Sequence, residues 1–128
     1  MSPKPALPPP PELRVPAPER WQLANGLDIL LVQRSRLPLL DALLVIKSGA
    51  ANDAPDIAGR ACLTAELLDA GTARRSQFEI ASQLDSIGAR LDASATWDCT
   101  SIVAQFLPAH VATALEILAD IAAGAAFP

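Results

Sequence analysis

The sequence predicts an α+β fold in which helices pack on one face of an antiparallel-rich sheet, in the order β-β-β-α-α-β-β-α. Three observations carry that reading. Five short segments are either continuously apolar or alternate apolar with polar residues, while three longer ones repeat their apolar residues at helical spacing. Asn25-Gly26 separates the first two segments with a dipeptide suited to a tight hairpin. Ser76 stands three residues ahead of Glu79, the pattern of a reciprocal helix cap. With 128 residues, 51% hydrophobic and 19% charged, the chain has the apolar content for one core, and global disorder is excluded.

Eight of the 12 prolines fall within the first 18 residues, so residues 1–18 are read as an extended, polyproline-like arm and 19–128 as the folding part. Such an arm can recruit a proline-reading domain; a solvated leader into the first strand is the simpler role. Residues 21–24 and 27–32 flank Asn25-Gly26, both of which tolerate the positive φ of a two-residue type I′ turn. Residues 39–46 form a continuous apolar run that fits a buried central strand and is expected to pair with the hairpin.

The first helix is expected over about 57–70, capped by Asp56, with Ala61, Leu63, Leu67 and Leu68 on its apolar side, and stopped by Gly71. Phe78, Ile80, Ala81, Leu84 and Ile87 give the second helix an apolar face that ends at Gly88. Residues 90–96 and 100–107 alternate as half-buried strands do, with Trp97-Asp98 as their turn. Pro108 opens the last helix, whose apolar residues are Val111, Leu115, Leu118, Ala119 and Ala122.

A net charge of -4 gives no reason to expect nucleic acid, and Arg34, Arg36, Arg74 and Arg75 read as solvated loop charges. Cys62 and Cys99 are too few and too far apart for a disulfide scaffold or a metal framework, so reduced, partly buried thiols are expected. There is no basic, apolar, small-residue succession of a signal peptide, which points to the cytoplasm, and no apolar run long enough to span a membrane. Ser76, Ser82, Ser86, Ser94 and Ser101 have no matched His and Asp, and Gly59, Gly71 and Gly88 form no phosphate-cradling motif.

The stretch from Ile57 through Gly59, Cys62, Ala65 and Glu66 to Gly71-Thr72 resembles the first helix of the pitrilysin/insulinase zinc metallopeptidases. In that family the helix carries H-x-x-E-H, two zinc-binding histidines and a glutamate that activates the metal-bound water. Asn25-Gly26, Lys47-Ser48-Gly49-Ala50, the run from Leu84 to Ser94, Asp98-Cys99-Thr100, Leu107-Pro108, the run from Leu115 to Asp120, and Phe127-Pro128 resemble further pieces of the family, in order. The likeness spans roughly residues 19–128, and implies part of one half of a fold whose repeated halves enclose a peptide chamber. On it, the chain is an N-terminal fragment, ending before the helix that carries a further zinc-binding glutamate.

Aligned on Gly59 and Gly71-Thr72, the histidine positions fall on Cys62 and Glu66 and the glutamate position on Ala65. Cys62 and Glu66 are four apart, on one helix face, and both are legitimate zinc ligands; a third is missing, since nothing places His110 near them. Without a glutamate at Ala65 there is no general base. Neither zinc nor a catalytic residue is therefore expected, with Cys62 a small core residue and Glu66 an exposed charge. The resemblance implies a non-catalytic scaffold or peptide-binding subunit, partnered by a catalytic, zinc-bearing one. In the family the edge strand matching Asp92, Ala93, Ser94, Ala95 and Thr96 pairs with extended peptides, a capacity that needs no metal. The alternatives are a divergent zinc metallopeptidase whose remaining ligands come from outside this chain, and a truncated remnant.

Overall fold

The computed structural model describes residues 16–34 and 36–127; the proline-rich arm lies outside them as far as Val15. The chain divides into two compact units, one ending at Leu37 and one from Pro38 to Pro128.

The first unit is an antiparallel hairpin of β1 (Glu19–Gln22) and β2 (Asp28–Leu31), with Trp21 opposite Ile29. Its turn differs from the expected type I′. Leu23 N–H donates to Leu27 O at 2.9 Å and Gly26 N–H to Leu23 O at 2.9 Å, leaving three residues in the loop. Gly26 has φ 86° and Asn25 is not in the positive-φ region, so the loop is a turn closed by a left-handed glycine.

The second unit is an α+β layer pair. Its strands β3 (Leu40–Ile46), β4 (Arg90–Ala95) and β5 (Thr100–Phe106) form an antiparallel sheet in the order β3-β5-β4. The partner of β3 is thus β5, Leu43 opposite Val103, and the hairpin forms a sheet of its own rather than the expected continuation of β3. Thr96 N–H donates to Cys99 O at 2.8 Å, which places Trp97-Asp98 at the β4–β5 turn as expected.

The helices are α1 (Arg60–Glu66), α2 (Gln77–Ser86) and α3 (Val111–Gly124). They cover one face of the sheet, because Ile102, Ala104 and Phe106 of β5 are buried while Val103 between them is exposed. Ile117 and Ile121 of α3, Ile80 of α2, Leu68 and Ile102 make one core cluster; Ala114, Leu118, Ala89, Ala104 and Phe106 make the adjoining one. Two expected helix faces are rotated. In α3 the buried apolar set is Ala114, Ile117, Leu118 and Ile121, with Asp120 buried beside it and Val111 and Leu115 exposed; in α2 Ile80 is buried and Phe78 is 81% exposed.

Ser76 caps α2 as expected, its hydroxyl accepting the Glu79 N–H at 3.3 Å while the Glu79 carboxylate accepts the Ser76 N–H at 2.8 Å. The bonds that the Glu79 carboxylate accepts from the Ser76 N–H and, at 2.7 Å, from the Ser76 hydroxyl hold it below its ordinary value.

Candidate functional site

The site is built on α1, which is shorter than the 57–70 expected. Pro55–Ile57 form a single 3-10 turn, Ala58 is extended with ψ 133°, and Gly59 sits at φ 96°, a left-handed conformation that suits glycine. The helix therefore opens at Arg60. Its cap is Asp53 rather than Asp56: the Asp53 carboxylate accepts the Gly59 N–H at 3.0 Å and the Ala61 N–H at 3.2 Å, and lies 3.5 Å from Arg60 Nε.

This start fixes which residues α1 buries. Ala65 is 2% exposed and Leu68 is buried, with Ala61 half-buried on the same stripe, whereas Leu63 is 57% exposed and Leu67 is exposed too. Cys62 is exposed, not a core residue, and Glu66 is exposed as expected. Cys62 and Glu66 thus share the outward side of α1, and Ala65 points inward. Ala61 and Thr64 of α1, with Asp53, Arg60, Ser48 and Thr100, help line a cavity of about 400 Å³.

The donor set does not fit a catalytic zinc ion, which takes three protein ligands and one open position. Among the described residues no group of three or more His, Cys, Asp or Glu is placed to hold a metal. His110 is half-buried in the 3-10 turn that opens α3, its N–H donating to Leu107 O at 2.9 Å. The buried Ala65 has no proton acceptor to offer.

Beside α1 lies the sheet's edge strand β4, against which α1 packs. Leu91, Ala93 and Ala95 are half-buried toward the helices, and Arg90, Asp92 and Ser94 are exposed. In an antiparallel ladder, alternate residues turn both backbone groups away from the paired strand. Counted back from the Thr96–Cys99 hydrogen bond, those residues are Ala95, Ala93 and Leu91. The open stretch ends at Trp97, the next position of that alternation, whose carbonyl accepts the Ala51 N–H at 2.9 Å; the carbonyl of Thr96, which pairs with Cys99, accepts the Ala50 N–H at 2.9 Å. Gly49 makes that approach feasible, since a Cβ there would meet Thr96 O, Cys99 N at 2.6 Å and Trp97 O at 2.7 Å.

An ion network centred on the buried Asp120 holds the segment after α1. Asp120 of α3 accepts bonds from Thr72 Oγ1 at 2.9 Å, Arg74 Nε at 2.9 Å and Arg75 Nη1 at 2.6 Å, and Arg75 also reaches Glu116 at 2.8 Å and Gln83 at 3.0 Å. Arg75 is therefore a structural ion-pair partner rather than a solvated loop charge, while Arg74 pairs with Asp120 and stays exposed. Burial alone would raise the Asp120 carboxyl, but the hydrogen bonds from Arg74, Arg75 and Thr72 outweigh it and hold it down to about 2. The bonds that Arg75 donates to Glu116 and Asp120 raise it above its ordinary value. Neither Asp53 nor Asp120 stands out in the sequence; the one available signal is Asp53 in the loop ahead of Gly59.

Among known proteins, the chain is 28% identical over 103 residues to YmxG, an uncharacterized zinc protease of Bacillus subtilis (strain 168), covering 80% of this chain and 25% of the relative. The crystal structure of a peptidase M16 inactive domain from Pseudomonas fluorescens superposes with a TM-score of 0.80 at 27% identity, over 87% of this chain and 27% of that one. A protease from Helicobacter pylori shares the fold with a TM-score of 0.80 at 21% identity, over 87% of this chain and 27% of its own. The chain thus spans about a quarter of the length of these relatives. Residues 31–128 match the insulinase family as a whole. With that match covering most of the chain, and with the fold it shares with those structures, the chain belongs to the insulinase family, peptidase family M16.

Proposed function

We propose that this chain is a peptidase M16-type domain that does not cleave peptides itself and acts as the scaffold or peptide-binding subunit of a two-component zinc metallopeptidase. One observation carries the reading. On α1, Cys62 and Glu66 are exposed and Ala65 is buried at the positions that the resemblance aligns with the family's histidines and glutamate, while among the described residues the β4 edge beside the helix keeps backbone groups free of any partner outside its sheet. The chemistry of cleavage is missing and that of β-augmentation is present. Likeness to a structure described as an inactive domain supports the same conclusion. The peptide-pairing segment of the proposal is Asp92, Ala93, Ser94, Ala95 and Thr96, in which Ala93 and Ala95 turn their backbone groups outward while those of Asp92, Ser94 and Thr96 face β5 or are already bonded. The partner is a catalytic M16 subunit with an intact H-x-x-E-H.

A second reading rests on the exposure of Cys62 and Glu66 four residues apart, which leaves both free to join ligands supplied by another chain. Zinc content and peptide hydrolysis, measured together on the full chain and on Cys62→Ala after metal loading and dialysis, separate the two. The expected result is neither stoichiometric zinc nor cleavage in either protein. Zinc retained by the parent and lost in Cys62→Ala, with cleavage, establishes the second reading instead. Co-purification with a zinc-bearing M16 subunit, and cleavage only by the pair, tests the partnership directly.

A further inference from the structure

Trp97 is 70% exposed at the end of the β4 edge, yet the backbone that carries it is held from several sides. Its carbonyl accepts the Ala51 N–H, the preceding carbonyl accepts the Ala50 N–H, and Thr96 Oγ1 donates to Cys99 O at 3.1 Å and accepts the Cys99 N–H at 3.3 Å. Gly49 packs into the same turn with no room for a side chain. A large indole on a fixed turn gives contact area at a small loss of conformational freedom, the property that makes Trp a recurrent anchor of binding surfaces. The Trp97 carbonyl, next after Ala95 in the outward alternation, is taken by the Ala51 N–H, so the free edge ends at Trp97 and a paired strand must leave β4 beside the indole.

Resting on the peptide-binding reading above, we infer that Trp97 is the anchor of an end subsite: an extended peptide pairs with Arg90–Ala95 and sets a bulky apolar side chain against the indole. At roughly 3.3 Å per residue, the free edge accepts about six peptide residues, of which the terminal one meets Trp97. Ala93 and Ala95 are small and half-buried, so the edge itself supplies backbone pairing and little side-chain selection. Selectivity is concentrated at Trp97.

The test uses the full 128-residue chain and fluorescein-labelled eight-residue peptides of alternating Thr and Val, with Phe at either end or Gly in its place. Anisotropy titrations are run on the parent, Trp97→Phe and Trp97→Ala, each checked for unchanged thermal unfolding. The expected result is about tenfold tighter binding of one Phe-ended peptide than of its Gly counterpart by the parent, largely kept in Trp97→Phe and abolished in Trp97→Ala. In a Trp21→Phe background the remaining indole emission should shift on binding. Equal preference in the parent and in Trp97→Ala, with no shift, overturns the inference and leaves peptide pairing on β4 intact. If the parent binds none of the peptides, the peptide-binding reading fails and takes the subsite with it.

Discussion

Asp120 is a carboxylate buried at the junction of α3 and the segment after α1, and its three donors make it sensitive to both charge and pH. Its pKa in the fold, about 2, lies below the ordinary 3.8, so the unfolded chain takes up the proton first as acid is added. The stabilisation is complete above about 3.8 and lost as pH falls through about 2. Asp120→Asn should therefore lower the urea midpoint at neutral pH, and the gap from the parent should close between those two pH values. A gap unchanged down to about pH 2 would mean that the charge on Asp120 contributes nothing. Gly49 is constrained by space rather than by φ, which is -145° and open to any residue. Gly49→Ala must displace the β4–β5 turn, because backbone atoms of Thr96, Trp97 and Cys99 occupy the volume its Cβ needs. A loss of about 1–3 kcal/mol in urea unfolding is expected, the usual cost of overpacking a site that cannot yield.

At the scale of elements, α2 depends on the reciprocal cap at Ser76, and Ser76→Ala should cost about 1 kcal/mol, read from urea denaturation. In α3, Ile117 is fully buried between the helix layer and β5, so Ile117→Ala should cost about 2–5 kcal/mol through lost burial and the cavity left behind. Equal, small losses in both variants would contradict the packing described. These two helices also mark what the sequence makes legible. The cap of α2 is local chemistry between residues three apart, and the structure has it as read. The buried face of α3 is not local: Val111, Leu115, Ala119 and Ala122 are as apolar as the residues actually buried, so periodicity finds the helix but not its rotation. Likewise α1 shows an apolar stripe on paper through Leu63, whereas the Gly59 turn and the Asp53 cap rotate Ala61, Ala65 and Leu68 inward. The alignment of Cys62, Ala65 and Glu66 with the family motif rests on the flanking Gly59 and Gly71-Thr72 alone. That Cys62 is exposed depends on the rotation, and that Asp120 gathers two arginines from 45 and 46 residues away depends on tertiary contact; neither leaves a short-range signal.

At the scale of the whole molecule, all the buried hydrophobic side chains of the described residues belong to the 38–128 unit, and none to the hairpin. Trp21, Leu23, Leu27, Leu30 and Leu31 of the hairpin are exposed, and an isolated two-stranded hairpin is at best marginally stable in water. The cooperative part of folding should therefore reside in β3, β4, β5 and the three helices. A protein comprising residues 38–128 should unfold in one cooperative step with nearly the denaturant midpoint of the full chain. Its slope should be only slightly smaller, because the slope follows the surface exposed on unfolding and the hairpin hides little. Melted helices, or a broad transition in residues 38–128 followed by recovery when residues 16–37 are added back covalently, would show instead that the hairpin is integral to the core. The same truncation bears on function, since α1, the β4 edge and Trp97 all lie within residues 38–128. If the site is as described, the truncated protein should bind the Phe-ended peptides with the affinity of the full chain.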